Sequence, residues 1–410
     1  MENGQQEPAQ ASQWKKVDEA INAGMAKVED VQRRKIQATD ESKEPNPWLR
    51  RTGWARHLGG FDREELRALV GPVDPEEEPE LVVIHHAFHQ LVRQAQKNAV
   101  TNVVGRTALF EANRKEAGKK AKRPFNSRVD KTTFRQYTGY WNQVFSYVVR
   151  ADDLDEDKRL KFSLIGRQQT AFDKLMDAVD QVVESEGSGE GDGGEEVQTE
   201  VQQRLLYFCI TLLDYNLADH EYKSVIISGL AVLGLQEGGR WANAEDYTPK
   251  LSAVIKLARL IVIQEAYQNR QKSIARKVEG GLSQAEAEDS APSHIELVQR
   301  MTRKFMTLTS DDGQPSPMDW TLETRAYGLH IRYSIPAEGM VSWNGETILY
   351  QEMRITMEKI RGMVHGLVAE TRRELIQDLL LDQYQEVKGQ RLPRIDWASM
   401  ADNFTEQQIG

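Results

Sequence analysis

The sequence predicts a mainly α protein made of multi-helix lobes, with one small β-hairpin near 341–348. Apolar residues recur at three- and four-residue steps through most of the chain, which is the period of an amphipathic helix. Hydrophobic residues make up 39 % and charged residues 28 % of the 410 residues, which is typical of a protein with an ordinary core. Asn344-Gly345 stands between two apolar stretches and is a favoured two-residue hairpin turn.

Composition divides the chain into four segments. Residues 1–44 are polar and rich in Gln, Glu and Lys, and we expect them to be disordered or to form a single amphipathic helix. Residues 45–184 are predicted to form an N-terminal helical lobe. Residues 185–197 are acidic and rich in Gly and Ser, so they are predicted to be a flexible linker. Residues 198–410 are predicted to form a C-terminal helical lobe.

The N-terminal lobe carries recognisable helix signals. Asp62 is expected to cap a short helix over 63–70, and a Pro/Glu turn precedes a helix over 80–100. Helical periodicity resumes at Lys131 and continues to about 184. Its first turns carry an aromatic stripe that we interpret as a core face, at Phe134, Tyr137, Trp141 and Phe145.

The first part of the predicted C-terminal lobe has a strongly apolar sequence. Residues 224–235 are predicted to be fully buried, and the twelve-residue stretch is too short to span a bilayer. A polar break covers 279–292. Helices are predicted on either side of it and after the hairpin, over 251–267, 293–308, 318–332 and 350–384.

Several kinds of chemistry are excluded by missing motifs. The one Gly-Lys pair, Gly118-Lys119, is followed by Lys120 and lacks the upstream glycine of a phosphate-binding loop, so no P-loop motor is expected. His85 and His89 lie one helical turn apart, but the sequence offers no further ligands for a closed zinc site. Cys209 lies in an apolar helix face and is interpreted as core packing. We expect no cofactor, no metal and no catalytic activity.

A basic segment covers 114–135 and opposes the net charge of −10 of the whole chain. It holds nine cations against two acids, a local +7, so the rest of the chain carries −17. Such a concentration of positive charge favours an anionic partner. We therefore predict weakly sequence-specific binding of nucleic acid, of DNA in particular, and a nuclear import receptor as a further partner. The predicted contacts are Arg114, Lys115, Lys119, Lys120, Lys122, Arg123, Arg128, Lys131 and Arg135.

Several long strings resemble a fungal protein family, the telomere-linked RecQ-helicase-like proteins of mobile or subtelomeric elements. The resemblance extends over about residues 45–410. The strings are 46–62 (NPWLRRTGWARHLGGFD), 108–116 (ALFEANRKE) with 123–128 (RPFNSR), 227–234 (ISGLAVLG) with 241–248 (WANAEDYT), and 317–320 (PMDW) with 361–370 (RGMVHGLVAE).

The resemblance implies a DNA-associated protein. The basic cluster from Lys119 to Arg123 matches a nuclear-localisation signal, so we predict that the protein acts in the nucleus. Fuller relatives carry a Cys/His zinc finger upstream of this region and a RecQ-type helicase downstream, and this chain has neither set of motifs. The region therefore resembles the module upstream of the helicase, for which the family supplies no catalytic residue. We interpret the chain as a non-catalytic, DNA-associated helical module of a helicase-like element protein.

Two alternatives belong to other classes of protein. A divergent or relic tyrosine recombinase would need cations around the scissile phosphate and an attacking tyrosine. Arg325, His365, Arg372 and Tyr384 occur in a suitable order, but the His-x-x-Arg motif is missing after the hairpin, so this cluster is incomplete. The other alternative is a helical protein–protein scaffold without a role on DNA, which the acidic remainder of the chain favours.

Overall fold

The fold is mainly α with a small antiparallel hairpin, which confirms the predicted fold class. The structure is a computed structural model. It describes residues 35–38, 44, 46–152, 154, 160, 162, 164–188, 194–217, 220–237, 240–308, 315–334, 341–350 and 353–374. The predicted helix in the N-terminal segment lies outside these residues. Ile36 is described and buried, and its N–H donates to Phe61 O over 2.9 Å, so the core includes this part of the polar segment.

The chain forms two compact units, residues 1–353 and 354–410. The helices of the first unit are α1 Pro47–Thr52, α2 Trp54–His57, α3 Arg63–Leu69, α4 Pro79–Asn98, α5 Thr101–Val104, α6 Arg106–Ala112, α7 Lys131–Asp152, α8 Gly166–Ser188, α9 Gly194–Leu213, α10 Val225–Val232, α11 Ala244–Glu279, α12 Gln284–Ser290, α13 His294–Phe305 and α14 Pro317–Ser334. Strands β1 Val341–Asn344 and β2 Thr347–Tyr350 follow. Strand β3 Met353–Thr356 leads into α15 Met357–Glu374 of the second unit.

One hydrophobic cluster joins the helices of the first unit. Helix α11 packs against α4, α7, α9, α13 and α14, and it is buried on nearly all sides over 251–266. The predicted aromatic core face is confirmed, because Trp141 and Phe145 of α7 are buried against Phe88 of α4. The predicted burial of 224–235 is also confirmed: α10 is buried at every residue.

The tryptophan-rich segment before α3 is part of the same cluster. Asn46 caps α1 through its side chain, which accepts from the N–H of Trp48 over 2.9 Å. Trp48 and Trp54 are fully buried and lie edge to face, with ring centres 5.7 Å apart. Gly234 of the segment after α10 leaves less than 3 Å between its Cβ position and the Trp54 ring, so only glycine fits there.

Several predicted boundaries are wrong. The helical stretch over 131–184 is two helices, because α7 ends at Asp152 and α8 begins at Gly166. The predicted helix over 350–384 begins only at Met357, since residues 353–356 form β3; its part beyond 374 lies outside the described residues. The hairpin pairs Asn344 with Thr347, so the turn residues are Gly345-Glu346 instead of Asn344-Gly345. Gly345 has a φ of 59°, which glycine adopts without strain.

The acidic linker does not separate two cores. The predicted linker over 185–197 is partly helical, because residues 185–188 belong to α8 and residues 194–197 belong to α9. These two helices pack against each other, and Val179 of α8 belongs to the same hydrophobic cluster as Leu205 of α9. The boundary between compact units lies between Met353 and Arg354. Within the first unit the stretch 185–197 therefore connects two neighbouring helices.

Candidate nucleic-acid interface

The basic segment forms the long loop between α6 and α7 and the first turn of α7. The loop is attached to the protein body at defined points. The N–H of Phe125 donates to Leu109 O over 2.9 Å, and the Phe125 ring is buried. The side-chain amide of Gln96 donates to Ser127 O over 2.8 Å. These contacts hold the backbone of the loop against α4 and α6, so its exposed side chains project from a fixed support.

Arg114 is buried, unlike the other predicted contacts. Its guanidinium makes a bidentate ion pair with Glu111, with N–O distances of 2.6 and 2.7 Å. Only 5 % of the Arg114 side chain is exposed. The hydrogen bond from Arg114 lowers the pKa of the Glu111 carboxyl, and the same bond raises the pKa of Arg114. Arg114 is therefore occupied inside the protein, and the predicted contact set has to be corrected by removing it.

The other eight predicted contacts are exposed, and we call them the basic surface. They are Lys115, Lys119, Lys120, Lys122, Arg123, Arg128, Lys131 and Arg135. Among the described residues, Lys119 is the member of this set that pairs with a carboxylate, that of Glu116 at 2.6 Å. Asp130 is used as the cap of α7, since its carboxylate accepts from the N–H groups of Thr132 and Thr133, each over 2.9 Å.

Two further cations lie behind the loop on α11. Lys256 donates to Arg128 O over 3.0 Å. Arg259 donates to Asn113 Oδ1 over 2.7 Å and to Arg114 O over 3.0 Å, and burial lowers its pKa to about 10. Neither residue is singled out by the sequence, because both lie within the apolar helix predicted over 251–267. They support the loop backbone and add positive charge beneath the basic surface.

Two histidines of α4, His85 and His89, contact α7 instead of converging on a common point. His85 Nε2 lies 3.1 Å from Asn142 O, and His89 Nε2 lies 2.8 Å from Thr138 Oγ1. Burial lowers the pKa of both, to about 4 for His85. In the described part of the chain, no three His, Cys, Asp or Glu side chains are grouped so as to hold a metal ion. Cys209 is buried, and burial raises the pKa of its thiol.

The residues of the recombinase alternative are distributed over both units. Arg325 of α14 donates to Ser252 Oγ over 2.6 Å, which ties α14 to α11. His365 lies exposed on α15. Arg372 also belongs to α15, and Tyr384 lies outside the described residues.

Comparison with known proteins returned no match: no family model, no curated protein and no solved structure matches this chain. A membrane-crossing helix is not found among the residues that the structure describes, since none of their helices is both long and apolar enough.

Proposed function

We propose that the protein is a non-catalytic, DNA-associated helical module that binds the phosphate backbone through the basic surface. The observation that carries this proposal is that most cations of the basic surface are not paired with carboxylates. Seven of the eight cations have no carboxylate partner among the described residues, and the loop that presents them is attached to the core. Unpaired cations in a protein of net charge −10 favour a polyanion.

The form of the surface indicates weak sequence preference. A loop that presents lysines and arginines contacts phosphates, and phosphate contacts carry no direct sequence information. The exposed residues of the loop do not form a helix that could enter a major groove, since the helix that follows begins only at Lys131. Binding through this surface would therefore fix the position of the protein on DNA without selecting a sequence.

The biological setting of the proposal rests on the family resemblance and on the loop sequence. The resemblance to fungal telomere-linked RecQ-helicase-like proteins supports a role in a mobile or subtelomeric element, in the nucleus. Lys119 to Arg123 is exposed and has the composition of a nuclear-localisation cluster, so an import receptor is a further proposed partner.

A salt titration tests the proposal. If about five cations contact phosphates, affinity for a duplex should fall by a factor on the order of 10³ between 50 and 200 mM salt. Replacing Lys119, Lys120, Lys122 and Arg123 with Ala removes up to about four phosphate contacts. The slope of log K against log salt should become less steep by up to about 0.9 for each contact removed. Helix content should not change, because all four residues lie in the loop.

A matched control separates the surface from net charge. Lys174, Lys272, Arg276 and Arg300 are exposed on α8, α11 and α13, and their replacement with Ala removes the same charge elsewhere. This control should retain the wild-type slope. Equal slopes in the two quadruple variants, or no binding of wild type at 50 mM salt, would favour the scaffold alternative.

A further inference from the structure

A cleft of about 860 Å³ opens between α3, the segment after it, α7 and the end of α10. Its volume falls within the range of sites that hold small molecules. It is lined by Gly139 and Asn142 of α7, by Val70 and Pro72 of the segment after α3, and by Lys250 of α11. The Cβ position of Gly139 has no atom within 4 Å, so the cleft reaches the helix backbone at this residue.

Lys250 places a positive charge in this cleft. Its Nζ donates to Leu233 O over 2.8 Å, at the end of α10, and lies 5.9 Å from the centre of the Tyr140 ring. An ammonium has three N–H donors, and Leu233 O is the one acceptor that Lys250 has among the described residues. Burial lowers the pKa of Lys250. Two donors of this lysine are therefore left for a ligand.

The lining of the cleft also offers an amide group. Gln143 Nε2 makes one hydrogen bond, to Val70 O over 3.3 Å, so a second N–H of this amide is left for a ligand. The neighbouring Asn142 Oδ1 accepts no hydrogen bond from the described residues, but it is buried and has no exposed area to offer a ligand. Val232, Leu233 and Leu235 add apolar lining. A ligand that fits has an anionic group for Lys250, an apolar face for these side chains and a hydrogen-bonding edge for the Gln143 amide.

The cleft continues the basic surface along one face of α7. Residues four apart lie on the same face of a helix, so Lys131, Arg135 and Gly139 form one row, and Asn142 completes it one turn further. Gly139 lies only about 6 Å along the helix axis from Arg135. A strand whose phosphates contact Lys131 and Arg135 would therefore reach the cleft with its next nucleotide.

We propose that this cleft binds one unpaired nucleotide, with its phosphate at the Lys250 ammonium and its base edge at the Gln143 amide of α7. A nucleotide combines the required anionic group, apolar ring face and hydrogen-bonding edge. Such a nucleotide can come from two sources. One is the single-stranded end of a DNA strand held on the basic surface, and this source rests on the proposed function. The other is a free mononucleotide.

Binding experiments with two ligands test the proposal. A duplex with a three-nucleotide single-stranded end should bind about tenfold more tightly than the blunt duplex of equal length, which is the scale of one held base. Gly139→Leu fills the cleft, and Lys250→Met removes the ammonium but keeps an unbranched apolar side chain. Both should abolish this preference and leave blunt-duplex affinity unchanged. Gly362→Leu adds the same leucine at an exposed helical glycine with open space and should keep the preference.

Titration with dAMP provides the second arm. Binding of dAMP that is lost in Gly139→Leu and Lys250→Met, without preference for the single-stranded end, would support the cleft and identify a free nucleotide as its ligand. Equal binding of both duplexes by wild type together with no dAMP binding would overturn the proposal. The proposed function fails separately, if wild type does not bind the blunt duplex at 50 mM salt, and the dAMP arm can still be read in that case.

Discussion

Arg114 and Glu111 form a buried ion pair at the end of α6, where the basic loop begins. Removing one partner of a buried pair leaves the other charge without compensation, which costs about 3–5 kcal/mol. Glu111→Gln is therefore expected to lower the free energy of unfolding by about this amount in urea denaturation. Glu116→Gln, which breaks the exposed pair with Lys119, should cost less than about 1 kcal/mol and serves as the control.

The same substitution distinguishes a structural arginine from a contact. Glu111→Gln leaves every residue of the basic surface in place, so the slope of DNA affinity against salt should match wild type in conditions where the variant is folded. A reduced slope in Arg114→Gln, which removes the guanidinium itself, together with an unchanged unfolding free energy, would place Arg114 back among the contacts.

His57 makes the stability of the protein depend on pH. Its Nε2 lies 3.0 Å from Ser228 Oγ, its ring stacks on Tyr222 at 3.9 Å, and burial lowers its pKa to about 3. The folded state keeps the imidazole neutral, while the unfolded chain takes up a proton below about pH 6.5. Stability is therefore lost as the pH falls from about 6.5 toward 3.

Urea denaturation of wild type and His57→Phe at pH 7 and pH 5 measures this effect. The phenylalanine ring keeps the stacking on Tyr222 but does not titrate. The loss of stability between pH 7 and pH 5 should be smaller in the variant by about 2 kcal/mol. Glu265, whose pKa burial raises, acts with the opposite sign, but it is present in both proteins and cancels in the comparison. Equal losses in the two proteins would show that His57 protonates freely in the folded state.

Helix caps explain which elements can be recognised locally. Asp62 accepts from the N–H groups of Glu64 and Glu65, and the helix it was predicted to cap is α3. Ser283 and Glu286 form a capping box at the start of α12, inside the segment predicted to be a polar break. The predicted polar break over 279–292 is therefore wrong for this helix, whose start is marked in the sequence by a Ser-x-x-Glu pattern.

Proteolysis tests the acidic stretch 185–197, which includes the end of α8 and the start of α9. The stretch 185–197 contains no Lys or Arg but several Glu, so a glutamate-specific protease is the suitable probe. First cuts are expected there or within the N-terminal 44 residues, because Gly/Ser-rich acidic sequence offers no side chains for packing. Initial cuts within 201–267, which contains α10 and much of α11, would contradict this expectation.

The products of that cut decide how the two halves are related. Val179 and Leu205 belong to one cluster, so fragments cut at 185–197 should stay together in gel filtration and separate only in urea. Fragments that separate without denaturant would support the two independent lobes that composition alone predicts.

At the scale of the whole molecule, positive charge is concentrated in residues 114–135, whereas the chain as a whole carries a net charge of −10. The acidic remainder of the chain disfavours approach of a polyanion elsewhere, and we propose that a polyanion binds at the basic surface. The cleft of Lys250 lies along the same helix face, so backbone contact and nucleotide capture would use one continuous region of the first unit. Both proposals depend on α7, which carries Lys131 and Arg135 at its start and Gly139 at the cleft.

The sequence by itself determined the helical class, the buried apolar face of α7, the full burial of α10 and the presence of a hairpin, because these follow from periodicity and turn chemistry within a few residues. Only the tertiary structure decided which cations are available. Arg114 and Arg123 belong to the same basic segment, yet Arg114 is buried in an ion pair with Glu111, whereas Arg123 is exposed. Lys250 lies more than a hundred residues after Tyr140 in the sequence, and it reaches the cleft only because α11 packs against α7. Local pattern specifies residue type and element, whereas burial and pairing depend on contacts between distant segments, which no local pattern contains.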